Sequence, residues 1–174
     1  MIARHLENLG WKVCVRLACR EEDVAGDAAV FLRVVQLTGI DSRYVSIDDA
    51  EKWQELQDRL RESDLIIDAL LGTGLTGEVR SPYREWIEAI NQSGRPVLAV
   101  DLPSGMDCNT GKPLGSCVRA TRTATMVATK LGFENANSKL WTGPIEVIDI
   151  GIPLIQRQAL TRQAPAPADG RNLS

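Results

Sequence analysis

The stretch from Asp64 to Gly77, Asp-Leu-Ile-Ile-Asp-Ala-Leu-Leu-Gly-Thr-Gly-Leu-Thr-Gly, constrains the fold of this chain more than any other. Its apolar run, Leu65-Ile66-Ile67, is typical of a strand that is buried on both faces of a parallel sheet. The run ends on an acid, Asp68, and gives way to a loop with three glycines, Gly72, Gly74 and Gly77. The stretch therefore predicts a strand followed by a glycine loop.

A helix is predicted directly after this loop. Ser81-Pro82 matches an N-cap and a first helical position, and an apolar stripe follows at Tyr83, Trp86, Ile87 and Ile90. Strand, loop and helix make half of a nucleotide-binding unit, because loop amides and the positive helix end can both face an anion. The alternative is that the glycines only allow the chain to turn.

A second unit repeats the pattern. Pro96 to Val100 reads as another apolar strand, which ends on Asp101 and is followed by Leu102-Pro103-Ser104-Gly105. Ligands of open parallel sheets bind beyond the carboxyl ends of the strands. We therefore expect Asp68 and Asp101 to lie on the same edge of one sheet.

The other elements alternate between helix and strand, which favours an α/β fold with a parallel sheet covered on both faces. Helices are predicted at 1–9 and between Val24 and Gly39, and another opens at Asp48, with Glu51 completing a capping box. Further strands are predicted at 12–18, 43–46, 123–128 and 144–148. The tail, residues 154–174, has no apolar period, and we expect it to be disordered.

Composition excludes several classes of function. The chain has 174 residues, 44% of them hydrophobic, with a net charge of −3 and a pI near 5.3. This acidic balance argues against nucleic-acid or anionic-membrane partners, and no apolar run has transmembrane length. The cysteines match neither a zinc site nor a redox pair, so we expect a cytoplasmic protein with free thiols at Cys14, Cys19, Cys108 and Cys117.

Four segments occur in the order found in one known family. They are Asp-Ala-Leu-Leu-Gly-Thr-Gly-Leu-Thr-Gly at 68–77, Ala-Val-Asp-Leu-Pro-Ser-Gly-Met-Asp at 99–107, Thr-Lys-Leu-Gly at 129–132 and Ile-Asp-Ile-Gly-Ile-Pro at 148–153. Through them, residues 1–153 closely resemble the NAD(P)H-hydrate epimerase family, also called the YjeF N-terminal domain. The resemblance implies one Rossmann-like α/β/α domain over 1–153 with a mostly parallel sheet.

The resemblance also implies a function. Members of the family interconvert the R and S forms of hydrated NADH and NADPH in the repair of nicotinamide nucleotides, and a partner dehydratase acts on only one form. Many are homodimers, and some carry the dehydratase as a fused second domain. For this chain, the expected partners are thus the hydrated nucleotide, a second copy and a separate dehydratase.

Roles for individual residues follow from the same resemblance. Asp68 and Ser104 match two ligands of a bound potassium ion. A hard cation prefers oxygen ligands, and a strand-end carboxylate and a loop hydroxyl supply two of them. Asp101 matches a substrate contact, and the rest of the nucleotide-binding set is Gly72, Thr73, Gly74, Leu75, Thr76, Gly77 and Glu78.

Epimerisation needs a group that takes and returns a proton. Our hypothesis is that Asp101 is this catalytic acid/base and that Lys130, just past a predicted strand, is a further candidate proton donor. The alternatives are structural: Asp68 could brace the glycine loop, Asp101 could be a turn residue, Ser104 could cap a helix, and Lys130 could be an ordinary surface lysine.

One departure from the family concerns the beginning of the chain. The family motif Asn-Asn-Gly-Gly-Asp-Gly does not occur in the sequence, and residues 1–6 resemble the family segment that lies directly after this motif. We therefore expect the first strand of the family fold, central between the strands at 12–18 and 64–68, to be missing together with its loop. The retained site residues favour an enzyme, whereas the absent loop favours a catalytically inactive binding or dimerisation module.

Overall fold

The computed structural model describes residues 1–151, and the predicted tail at 154–174 lies outside them. Within the described residues the helices are α1 (Ile2–Asn8), α2 (Gly26–Leu37), α3 (Ala50–Glu62), α4 (Tyr83–Gln92) and α5 (Lys139–Thr142). The strands are β1 (Cys14–Leu17), β2 (Asp41–Tyr44), β3 (Ile66–Asp68), β4 (Val97–Val100), β5 (Arg122–Met126) and β6 (Ile145–Ile148). No helix in this part of the chain combines the length and apolarity needed to cross a bilayer.

The strands form two parallel sheets. One pairs β1 with β2, and the other has the order β3-β4-β5-β6. Parallel strands connected through helices confirm the predicted α/β class. A largely apolar cleft of about 830 Å³ is lined by both β1 and β3. The described residues place no strand between β1 and β3, the position of the family's first strand, which we expect to be missing from this chain.

Helix α4 fills the centre of the main core. Three residues of its predicted stripe, Trp86, Ile87 and Ile90, are at 4% exposure or less, and the fourth, Tyr83, is partly buried. Ile87 packs with Ile66 of β3 and Val97 of β4, so this helix covers one face of the sheet. Burying each such side chain contributes about 1.5–3 kcal/mol. The packing of this stripe therefore holds β3 and β4 in position, and the candidate site lies at their carboxyl ends.

Both predicted helix caps are wrong by one residue. Helix α4 starts at Tyr83 after a cis Ser81-Pro82 bond, and no side chain caps it. Helix α3 is capped by Asp49, whose carboxylate accepts the Lys52 N–H at 3.2 Å. The predicted cap, Asp48, instead lies in the preceding turn.

The regular alternation of strand and helix ends after β4. The connection from β4 to β5, residues 101–121, contains no helix and is folded back by a bridge between Met106 and Pro113. Gly105 allows this path, because a Cβ atom there would lie 2.0 Å from the Ser116 carbonyl oxygen. The segment thus brings Ser104 back against β3.

Candidate active site

The predicted site residues lie at the carboxyl ends of three neighbouring strands. Asp68 is the last residue of β3, Asp101 directly follows β4, and Lys130 lies four residues after β5. Because β3, β4 and β5 are parallel and adjacent, these ends meet on one edge of the sheet, as predicted. The structure then groups the side chains into two pairs.

The first pair is Asp68 and Ser104. The Ser104 hydroxyl donates to Asp68 Oδ1 at 2.6 Å, and the Ser104 N–H donates to Oδ2 at 2.8 Å. Both residues are 1% exposed. Desolvation raises the pKa of Asp68, and its hydrogen bonds from Ser104 and the Leu70 N–H offset only part of this effect.

Asp68 has no basic partner among residues 1–151, so its charge is not balanced by a lysine, arginine or histidine there. Two backbone N–H groups, of Ser104 and Leu70, donate to it, and the oxygens beside it are the Ser104 hydroxyl and, 3.3 Å from that hydroxyl, the Leu71 carbonyl. The same part of the chain holds no cluster of three or more His, Cys, Asp or Glu side chains suited to a metal. This donor chemistry fits a hard, singly charged cation better than a transition metal.

The glycine loop, residues 72–78, starts beside this pair. The Leu71 N–H donates to the Ser104 hydroxyl at 2.9 Å, and the Val79 N–H donates to the Leu114 carbonyl at 2.8 Å, so both ends of the loop are fixed. All its residues except Leu75 are exposed. Apart from the Leu75 N–H, the loop amides donate to no acceptor among the described residues. They can therefore receive an anion.

The second pair is Asp101 and Lys130. Lys130 Nζ lies 2.5 Å from Asp101 Oδ1, and the two side chains are 20% and 28% exposed, in the order Lys130 and Asp101. Partial burial raises the pKa of Asp101, but hydrogen bonds from Lys130, the Met126 N–H and Thr125 outweigh it and lower the pKa below its usual value. Asp101 is thus a carboxylate at neutral pH, held beside an ammonium group.

Two strained turns surround this pair. Asp101 has φ 71°, and the Leu102 N–H donates to the Val100 carbonyl across it. Val127 has φ 69°, and the Ala128 N–H likewise donates to the Met126 carbonyl. Both are γ-turns of the rare positive-φ kind. Strain at residues other than glycine is concentrated at functional sites.

The structure decides some of the structural alternatives. No helix follows Ser104 before β5, so the interpretation of Ser104 as a helix cap is wrong. Asp101 is a turn residue, but its carboxylate also accepts hydrogen bonds from β5. Lys130 is mostly buried and paired, unlike an ordinary surface lysine. No hydrogen bond among the described residues joins the Asp68 pair to the Asp101 pair. Glu78 is exposed and lies in neither pair.

Two contributors were not predicted. The Thr125 hydroxyl and the Met126 N–H both donate to Asp101 Oδ1, at 3.1 and 3.0 Å. The sequence places both residues in a predicted strand but gives no sign of contact with residue 101. That contact depends on the register between β4 and β5.

The fold and site define a Rossmann-like α/β protein with a polar ligand site. The carboxyl edge of its parallel sheet carries a buried carboxylate, loop amides without an acceptor among the described residues, and a carboxylate–ammonium pair. Residues 1–132 match the family described as YjeF-related protein N-terminus. The chain therefore belongs to the YjeF N-terminal family.

Known relatives agree with this assignment. The chain is 40% identical over 153 residues to the NAD(P)H-hydrate epimerase of Pirellula staleyi, covering 88% of this chain and 66% of that protein. It is 36% identical to the NAD(P)H-hydrate epimerase of Rhodopirellula baltica, covering 88% and 60%. It is 39% identical to the bifunctional NAD(P)H-hydrate repair enzyme Nnr of Salinibacter ruber, covering 88% and 29%.

The fold also matches a solved structure. The crystal structure of yeast ynu0, YNL200c, superposes with a TM-score of 0.67 at 19% identity, covering 87% of this chain and 60% of that one. This similarity supports the Rossmann-like fold. The chain spans slightly less than two thirds of its epimerase relatives and less than a third of the Salinibacter bifunctional enzyme.

Proposed function

We propose that this chain epimerises hydrated NADH and NADPH, interconverting their R and S forms. The observation that carries the proposal is the Asp101–Lys130 pair at the carboxyl edge of the sheet. A proton acceptor and a proton donor there lie 2.5 Å apart and are partly open to solvent. Membership of the family and 40% identity to a protein named NAD(P)H-hydrate epimerase support this reaction.

The glycine loop is the proposed nucleotide-binding element. Its exposed amides, at residues 72–74 and 76–78, present several N–H donors to an anionic group such as a pyrophosphate. The bonds at Leu71 and Val79 hold the loop ends and so reduce the entropy lost when the loop binds. Loop and acid/base pair would then hold different parts of one substrate.

The chemistry requires inversion at one hydrated carbon. Lys130 delivers a proton to the departing hydroxyl oxygen as the C–O bond breaks, which leaves a planar carbon. That carbon then turns its other face toward the pair, and Asp101 takes a proton from the water that adds there. Asp101 then releases its proton to solvent and Lys130 regains one from solvent, because both side chains are partly exposed, so both residues regain their starting states. One water leaves and one enters, and nothing is oxidised or reduced.

Asp68 and Ser104 are the proposed ligands of a potassium ion, together with backbone oxygens such as that of Leu71. The fit rests on a buried carboxylate without a basic partner among residues 1–151 and on the Ser104 hydroxyl and Leu71 carbonyl oxygens beside it. When bound, the ion supplies positive charge that offsets the carboxylate and attracts the phosphates. Its other effect is structural, since Ser104 also holds the start of the glycine loop.

We infer that the enzyme works beside a dehydratase, because several relatives are named bifunctional NAD(P)H-hydrate repair enzymes. Homodimer formation stays a prediction from the resemblance, and a cytoplasmic location stays a prediction from the cysteine pattern.

A coupled assay tests the proposed function. Hydrated NADPH containing both forms is exhausted with a dehydratase specific for one form, and this chain is then added. We expect the remaining form to be consumed at a rate proportional to the amount of chain. Asp64→Asn, which changes an exposed carboxylate outside the site, should react at the same rate. If consumption stays at the spontaneous rate over a wide range of chain concentration, the proposed function is wrong.

A further inference from the structure

We infer that Thr125 is a positioning residue for Asp101, and that it fixes Oδ1 so that Oδ2 is the oxygen that exchanges protons with the substrate. The inference rests on the proposed function for its catalytic meaning. The positioning itself rests on geometry alone. Thr125 contacts no reacting atom and acts only through Asp101.

The described hydrogen bonds of the Asp101 carboxylate all go to one of its two oxygens, Oδ1. Oδ1 accepts from the Thr125 hydroxyl at 3.1 Å and the Met126 N–H at 3.0 Å, and Lys130 Nζ lies 2.5 Å from it. Oδ2 has no hydrogen-bond partner among residues 1–151. Because the side chain is 28% exposed, Oδ2 is the carboxylate oxygen left to meet a ligand.

This arrangement suits a group that must exist in two protonation states. If Oδ1 took the proton, a hydrogen atom would face three donors and at least one of their bonds would break. If Oδ2 takes the proton, Oδ1 becomes a carbonyl oxygen and still accepts all three. Protonation at Oδ2 therefore needs no rearrangement of the surrounding structure.

Thr125 is suited to this task by its burial. The residue is fully buried in β5, and its hydroxyl has two acceptors within reach, Asp101 Oδ1 at 3.1 Å and the Ala128 carbonyl at 3.5 Å. A buried hydroxyl that loses its acceptor costs free energy, so the side chain is held toward Asp101. The γ-turns at Asp101 and Val127 fix the two backbones between which this bond runs.

The chain offers a matched control on the same strand. Thr123 is also fully buried, and its hydroxyl donates to the Thr142 carbonyl at 2.8 Å. Thr123→Val and Thr125→Val each remove one buried hydroxyl and keep the β-branched shape. Only Thr125→Val removes a bond to Asp101.

The test measures the Asp101 carboxyl and the enzyme rate in the same variants. The carboxyl is titrated by carbon-detected NMR in the full chain, with Lys130 as the charged side chain that lies against it. In Thr125→Val we expect the pKa of Asp101 to rise and kcat to fall about 10-fold with KM nearly unchanged, as for loss of one positioning contact. Thr125→Ser should restore most of kcat, and Thr123→Val should change neither quantity.

The two claims fail separately. If wild type does not epimerise the substrate, the proposed function falls, and the NMR titration still decides whether Thr125 holds Asp101. If Thr125→Val matches Thr123→Val in both the titration and kcat, the positioning role is wrong. Should Thr125→Val fail to fold, Thr125→Ala removes the same donor and carries the same expectation.

Discussion

The hydroxyl of Ser104 lies 2.6 Å from Oδ1 of Asp68 and joins the loop after β4 to the end of β3. The same hydroxyl accepts the Leu71 N–H. One serine thus connects a buried carboxylate to the start of the glycine loop. Through it, occupancy of the proposed cation site at Asp68 would affect the loop proposed to bind the nucleotide.

Potassium should stabilise the chain through Asp68. Replacing choline chloride with potassium chloride at equal ionic strength should raise the melting temperature of wild type. At ten times the dissociation constant, binding contributes about 1.4 kcal/mol, or roughly 3–6 °C. Asp68→Asn should lose this increment, and Asp64→Asn should keep it. A potassium effect of the same size in Asp68→Asn would place the ion elsewhere.

Gly105→Ala should disturb the loop that carries Ser104 and so destabilise the chain. Gly105 has φ 93°, and an added Cβ would lie 2.0 Å from the Ser116 carbonyl oxygen. The strained conformation and the clash together should lower the free energy of unfolding by about 2–5 kcal/mol. Gly115→Ala is the control, because its φ is 82° but its nearest contact is 3.8 Å. We expect it to lose only about 1–2 kcal/mol. Equal losses of the free energy of unfolding in the two variants, measured by denaturant unfolding, would show that the Ser116 carbonyl can move away from residue 105.

Lys130→Met should change the pH dependence of the reaction. Lys130 lowers the pKa of Asp101, so its removal raises that pKa and moves the acid limb of the kcat/KM profile to higher pH. A lowered carboxyl pKa also stabilises the fold above the unfolded value of 3.8, and this contribution disappears as pH falls through the lower folded pKa. The variant should therefore lose part of this acid-sensitive stability.

The exposed lysine Lys112 supplies the control for this measurement. Lys112→Met removes the same charge from the chain without touching Asp101. An unchanged acid limb in Lys130→Met, or an equal shift in Lys112→Met, would contradict the pairing.

Much of this site could be predicted from local pattern. Apolar runs ending on Asp68 and Asp101 predicted two strand ends on one edge of a parallel sheet. The start of helix α3 could not be predicted as closely. Asp48 and Asp49 are equally good caps by sequence, and only the turn before the helix makes Asp49 the cap. The connection after β4 contains no helix because the positive-φ Gly105 turns the chain back on itself.

The contacts around Asp101 could not be predicted from sequence. Thr125 meets Asp101 only through the register of β4 with β5, in which Val100 pairs with Ala124. The positive φ of Val127 runs against the ordinary preference of a β-branched residue. Tertiary packing, rather than local propensity, determines both the contact of Thr125 with Asp101 and the conformation of Val127.

The most direct test of the account compares Asp101→Asn with wild type in the epimerisation assay. The amide can present its oxygen to Thr125, Met126 and Lys130 and its nitrogen in place of Oδ2, so the fold should be kept, with a melting temperature within about 2 °C of wild type. Without a proton acceptor, kcat/KM should fall about 10²-fold or more. An Asp101→Asn variant that epimerises hydrated NADPH at the wild-type rate would contradict the account.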